Sequence, residues 1–155
     1  MDILLVEDNP GDIRLAQETF REINQTTVLH VVTDGADAMA FLRREGEYAN
    51  APRPDMILLD LNLPKLGGQQ VLAKVKADEC LKTIPTVILT TSSEDIEQCY
   101  QLGANCYLKK PVELGSFNRL VASLDTFWGN WASLPQQMVP VAVSDMPVGS
   151  PTAAP

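Results

Sequence analysis

The sequence predicts a doubly wound α/β fold, a parallel sheet of five strands covered by helices on both faces. Three observations carry this: short apolar runs recur along the chain, segments of helical period separate them, and turn-forming residues sit at the junctions. The runs are Ile3 to Val6, Val28 to Val32, Met56 to Leu59, Thr86 to Leu89 and Cys106 to Leu108. They are mostly apolar rather than alternating, as expected of strands buried on both faces.

Helices are expected between the runs. The first, from about Asp12 to Asn24, sets Ile13, Ala16, Phe20 and Ile23 on one face; the last, from about Glu113 to Trp128, sets Phe117, Leu120, Val121, Leu124 and Trp128 on one face. Both stripes read as core. Asn9-Pro10-Gly11, Asp34-Gly35 and Gly67-Gly68 supply the turns, and Thr91 followed by Glu94 has the form of a capping box. Strands that alternate with helices are joined by right-handed crossovers, and five of them commonly take the flavodoxin-like order 2-1-3-4-5.

With 155 residues, 45% of them hydrophobic, the chain can bury one core of ordinary size. Residues 1–133 are assigned to that domain, and 134–155, rich in Pro, Ala, Val and Ser without periodicity, to a disordered tail. A net charge of −8 and a pI near 4.5 argue against direct nucleic-acid binding, which needs clustered Lys and Arg. Cys80, Cys99 and Cys106 show no metal-ligand spacing and read as reduced packing residues. There is no basic stretch ahead of the first apolar run and no apolar run of ~18 residues, so a soluble cytoplasmic protein without membrane contact is expected.

On this topology the chemistry falls at one edge. Glu7 and Asp8 follow the first strand, Asp60 the third, Thr90 the fourth and Lys110 the fifth. Open α/β sheets bind ligands outside the carboxyl ends of their strands, where strand order reverses, so Glu7, Asp8 and Asp60 converge. Converging carboxylates repel unless a cation neutralises them. With no His or Cys nearby the ion is a hard, oxygen-preferring one, Mg²⁺ before a transition metal, with Mn²⁺ able to substitute. A carboxylate can also attack phosphorus to give an aspartyl phosphate, and Lys110 and Thr90 are of the right type to hold its oxygens. Taken singly, each acid is more often a helix cap or turn residue, Thr90 a satisfied strand residue and Lys110 a surface lysine. Their convergence carries the functional reading. His30 stands apart in the second strand and is assigned to packing.

Leu5-Val6-Glu7-Asp8-Asn9, Leu58-Leu59-Asp60-Leu61-Asn62-Leu63-Pro64, Leu89-Thr90-Thr91 and Lys110-Pro111 together resemble bacterial response-regulator receivers, over about residues 2 to 128. Gly68, eight residues after Asp60, Pro85, five before Thr90, and Tyr107, three before Lys110, extend the resemblance. It implies that Asp60 accepts a phosphoryl group from a sensor histidine kinase, and that Asp8 and Asp60 bind Mg²⁺ directly. It also implies that Glu7 acts through water, that the Asn62 main-chain carbonyl completes the ligand set and that Lys110 grips a phosphoryl oxygen. Pro111 identifies Lys110, not Lys109, as that grip, and is a candidate for a cis peptide. Glu in place of Asp at position 7 changes reach rather than charge. Tyr48-Ala49-Asn50-Ala51-Pro52-Arg53-Pro54 and Phe127-Trp128 resemble regulators paired with bacterial and cyanobacterial phytochromes, which implies a phytochrome-type kinase.

The expectation is a single-domain switch and not an enzyme, beyond its own phosphorylation and dephosphorylation. It acts on a downstream protein or passes phosphate to a phosphotransfer protein, with Thr90 and Tyr107 coupling phosphorylation to output. An aspartate-nucleophile phosphatase of haloacid-dehalogenase type would need an acid where Asn62 stands. A flavodoxin would need a hydroxyl- and Gly-rich phosphate loop where Glu7 and Asp8 stand. A homodimer is expected through helix 4, strand 5 and helix 5. Phe127, Trp128 and Trp131 cluster there, around Gly129, where the helix is expected to end.

Overall fold

A computed structural model describes residues 1–111 and 113–135. Five strands, β1 (Asp2–Val6), β2 (Val28–Val32), β3 (Met56–Leu59), β4 (Thr86–Thr90) and β5 (Cys106–Lys109), form one parallel sheet in the order β2-β1-β3-β4-β5. Five helices alternate with them: α1 (Pro10–Ile23), α2 (Gly35–Arg43), α3 (Gly68–Ala77), α4 (Ile96–Gln101) and α5 (Leu114–Thr126). The fold is the doubly wound, flavodoxin-like one expected.

Alternation along each strand divides the core in two. Leu4, Val6, Ile57, Leu59 and Ile88 point to the side covered by α2, α3 and α4, where they meet Phe41, Leu72, Val75 and Cys99. Ile3, Leu5, Met56, Leu58, Val87 and Leu89 point to the other, against Ala16 and Phe20 of α1 and Phe117, Val121 and Leu124 of α5. Each such side chain, fully buried, contributes about 1.5–3 kcal/mol of hydrophobic free energy. That burial explains why runs as short as Met56–Leu59 suffice as strands.

Local chemistry sets the helix starts. The Asn9 side chain accepts hydrogen bonds from the Gly11 and Asp12 N–H groups (2.9 and 3.1 Å), with Pro10 in the first turn, so α1 begins earlier than its periodicity suggested. Asp34 caps α2 by accepting from the Asp37 N–H at 2.7 Å. Gly68 opens α3 where the chain passes the segment after β3. A Cβ there would lie 2.2 Å from the Asp60 carbonyl oxygen and 2.5 Å from the Leu61 Cα, so only glycine fits.

Several expectations are corrected. Ile23 is exposed rather than core, because α1 ends there, and buried Thr19 joins Ala16 and Phe20 instead, its hydroxyl 2.8 Å from Leu15 O and 2.7 Å from the Asn118 side-chain amide. The Thr91–Glu94 capping box does not form. Helix α4 starts only at Ile96, and the Glu94 N–H donates to Ser92 Oγ. Gly129 does not end the last helix, which continues as a π-helical turn over Phe127–Trp131. Cys80 is exposed, while Cys99 is buried and Cys106 half-buried as packing residues. The described peptides, Lys110–Pro111 among them, contain no cis bond. Pro135 lines a small recess with Pro54 and Pro85 at the amino ends of β3 and β4. The remainder of the expected tail, 136–155, lies outside the described residues.

Candidate phosphoacceptor site

The site grows out of the sheet itself. The Glu7 N–H donates to Val32 O, the Asp60 N–H to Val6 O and the Lys110 N–H to Thr90 O, at 3.1, 3.0 and 2.7 Å. Ladder-type hydrogen bonds thus carry past the strand ends and fix the backbone from which each functional side chain leaves. Glu7, Asp60, Thr90 and Lys110 are all buried, at 2, 5, 0 and 8% exposure, whereas Asp8 is open to solvent.

Glu7, Asp8 and Asp60 each offer a carboxylate oxygen within 4.8 Å of the others. Lys110 Nζ lies 2.5 Å from Glu7 Oε2, 3.0 Å from Asp12 Oδ2 and 3.6 Å from Asp60 Oδ2. Three carboxylates, of Glu7, Asp12 and Asp60, surround one ammonium, and Asp8 lies beside two of them. Burial pushes the Glu7 carboxyl up to about 6, against the opposing pull of its bond to Lys110. Burial disfavours the charged Lys110, but its bonds to Glu7 and Asp12 and the nearby Asp60 charge outweigh this and raise its pKa. The donor set is all oxygen, with one carboxylate facing water, and fits a hard divalent cation.

Asp60 keeps one oxygen near the Asn62 N–H, 3.4 Å from Oδ1. Glu7 is more fully engaged, since its other oxygen accepts from the Asn9 N–H at 3.1 Å. Thr90 closes β4 next to β3, and its hydroxyl lies 3.5 Å from the Ser92 N–H. Tyr107 is half-buried on β5 with its hydroxyl donating to Ser92 O at 2.8 Å. Phe127 and Trp131 stand 53 and 80% exposed. Trp128 is half-buried, packed against the α1/α5 side of the core and meeting Phe127 edge-on. His30 packs as expected, with its ring against Phe41 and Nε2 2.9 Å from Asp2 Oδ1.

The residue missed by sequence reasoning is Asp12. Its position in the first turn of α1 reads as helix-dipole complementarity. Only the reach of Lys110 across 98 positions of sequence makes it part of the site.

A parallel sheet with acids, a hydroxyl and a lysine gathered at its carboxyl edge defines a receiver, and the chain belongs to that family: residues 3–124 match the model of the response regulator receiver domain. Response regulator Rcp1 of Synechocystis sp. is 47% identical over 135 residues, 86% of this chain and 92% of the relative. Among solved structures, the phosphorylated cyanobacterial phytochrome response regulator RcpA superposes with a TM-score of 0.84 at 50% identity, over 87% of this chain and 98% of that one. The Mn²⁺-bound form of Rcp1 does so at 0.82 and 46%, over 87 and 99%. The phosphatase alternative finds no support in these relatives. Among the described residues no helix is long and apolar enough to cross a membrane.

Proposed function

We propose that this response regulator accepts a phosphoryl group on Asp60 from a phytochrome-type sensor histidine kinase, with Mg²⁺ as cofactor and Mn²⁺ able to replace it. The observation that carries the reading is the meeting of Glu7, Asp8 and Asp60 oxygens within 4.8 Å, with Lys110 Nζ 3.6 Å from Asp60. An Asp60 oxygen attacks phosphorus, the bond to the donor nitrogen breaks with its electron pair staying on the donor, and an acyl phosphate results. When bound, the cation would neutralise charge gathered on the phosphoryl oxygens. Lys110 and Thr90 hold those oxygens by a charge-assisted and a neutral hydrogen bond. The receiver resemblance implies that Asp8, Asp60 and the Asn62 carbonyl would hold the cation directly and Glu7 through water, and the engagement of Glu7 with Asn9 and Lys110 supports that division. The kinase assignment rests on the likeness to RcpA, a cyanobacterial phytochrome response regulator. The protein is a cytoplasmic switch, with no catalysis beyond its own phosphorylation and dephosphorylation. Its domain spans 1–133 and its tail 134–155.

Output runs from Thr90 to Tyr107, because both contact Ser92 and a hydroxyl drawn to the phosphoryl oxygens disturbs that shared partner. The recipient is a downstream protein or phosphotransfer protein. Exposed Phe127 and Trp131 flank a groove on α5 with Arg119 and Thr126, and a second copy of the chain covers them in a homodimer. The test is phosphotransfer: labelled phosphate should pass from an autophosphorylated phytochrome-type kinase to the wild type in Mg²⁺ and not to Asp60→Asn. Equal labelling of both proteins would overturn the assignment.

A further inference from the structure

We propose that Asp12 is a positioning residue that holds Lys110 on the α1 side of the site until a phosphoryl group draws it to Asp60. This rests on Asp60 being the acceptor.

The geometry is a competition for one ammonium. Lys110 has three N–H donors, of which one meets Glu7 Oε2 and another Asp12 Oδ2 at 3.0 Å. Asp60 Oδ2, at 3.6 Å, is beyond hydrogen-bond length. The lysine therefore rests on the carboxylates beside and before α1, and is only near the one whose product it is to grip. Of its two bonded partners, Glu7 is buried and also tied to the Asn9 N–H, whereas the Asp12 side chain is 34% exposed. Asp12 borders an open cleft with Thr91, Glu113 and Phe117, so water can replace the ammonium when it leaves. Asp12 is thus the partner given up at least cost, and an ion pair so open to water is weak.

Two consequences have the same sign. Removing the Asp12 charge weakens the hold on one donor of Lys110, which the phosphoryl oxygens can then take, and it removes an anion from the neighbourhood of an arriving anion. A loss of function would be the ordinary result of damaging the first turn of α1. A gain in affinity for a phosphoryl group is what only the holding role produces.

The experiment compares beryllofluoride affinity, in saturating Mg²⁺, of wild type, Asp12→Asn, Asp12→Glu and Asp60→Asn. Asp12→Asn should bind beryllofluoride about two- to fivefold more tightly, and Asp12→Glu, which restores the charge, should return toward wild type. The initial rate of labelling by acetyl phosphate should rise in Asp12→Asn in the same sense. Wild-type binding with unchanged or weaker binding by Asp12→Asn overturns the role of Asp12 alone. Binding by Asp60→Asn equal to wild type overturns the acceptor assignment and the role of Asp12 with it.

Discussion

Gly68→Ala should damage both the stability of this protein and its capacity to be phosphorylated. The added Cβ would sit 2.2 Å from the Asp60 carbonyl oxygen and 2.5 Å from the Leu61 Cα, both backbone atoms that no rotamer change can move aside. Restoring ordinary contact of about 3.4 Å requires the start of α3 and the segment after β3 to separate by roughly 1 Å. Strain of that kind in a packed place costs about 1–3 kcal/mol. The same shift displaces the acceptor from the frame that β1 and β4 provide. A misplacement of about 1 Å can slow a positioned reaction about 100-fold. Urea unfolding gives the first quantity and the initial rate of labelling by acetyl phosphate the second. Gly67→Ala is the internal control: its Cβ has nothing nearer than the Gln70 side chain at 3.8 Å, and it should cost no more than about 1 kcal/mol with labelling intact. If Gly68→Ala unfolds and labels as Gly67→Ala does, the close approach at Asp60 does not constrain the site.

Asp34→Ala removes the cap of α2 and should cost about 1 kcal/mol. The bond from the Asp37 N–H, reinforced by Lys65, holds the Asp34 carboxyl below its ordinary value. Its contribution is therefore complete above the ordinary aspartate range near 3.8 and lost as pH falls through the lowered folded-state value, so the difference in urea stability between wild type and Asp34→Ala should shrink in acid. Asp8→Ala should weaken Mg²⁺ binding at least tenfold, read by titration of the intrinsic fluorescence, and chelator should stop phosphorylation until Mg²⁺ is restored. Thr90→Ala should accept phosphate yet lose the phosphorylation-dependent change in partner binding, measured by calorimetry with and without beryllofluoride.

The fold was legible because the central strands are mainly apolar runs: Met56-Ile57-Leu58-Leu59 has no polar residue, and none of its side chains faces water. The site was legible for the related reason that topology alone brings strand ends together, so Glu7, Asp60, Thr90 and Lys110 could be placed without coordinates. The region from Thr91 to Asp95 was misread. Its polar residues have the composition of a helix cap, but Ser92 is held between Thr90 and Tyr107, and α4 shrinks to Ile96–Gln101. Spacing placed Trp128 on the core-facing stripe of the last helix, where it packs, while Trp131 falls beyond that stripe in the π-helical turn and stands exposed. Asp12 was invisible for the opposite reason to Asp60. It sits at no strand end, and its role exists only through the length and direction of a single lysine side chain.

The central claim is that Asp60 carries the phosphoryl group, and the direct measurement is to map it. After phosphorylation by acetyl phosphate in Mg²⁺, borohydride reduction converts an aspartyl phosphate to homoserine, which peptide mass spectrometry locates. Homoserine at position 60 alone is the expected result, absent without Mg²⁺. Homoserine at position 8 or 12, or none at position 60 despite stoichiometric labelling, would contradict it.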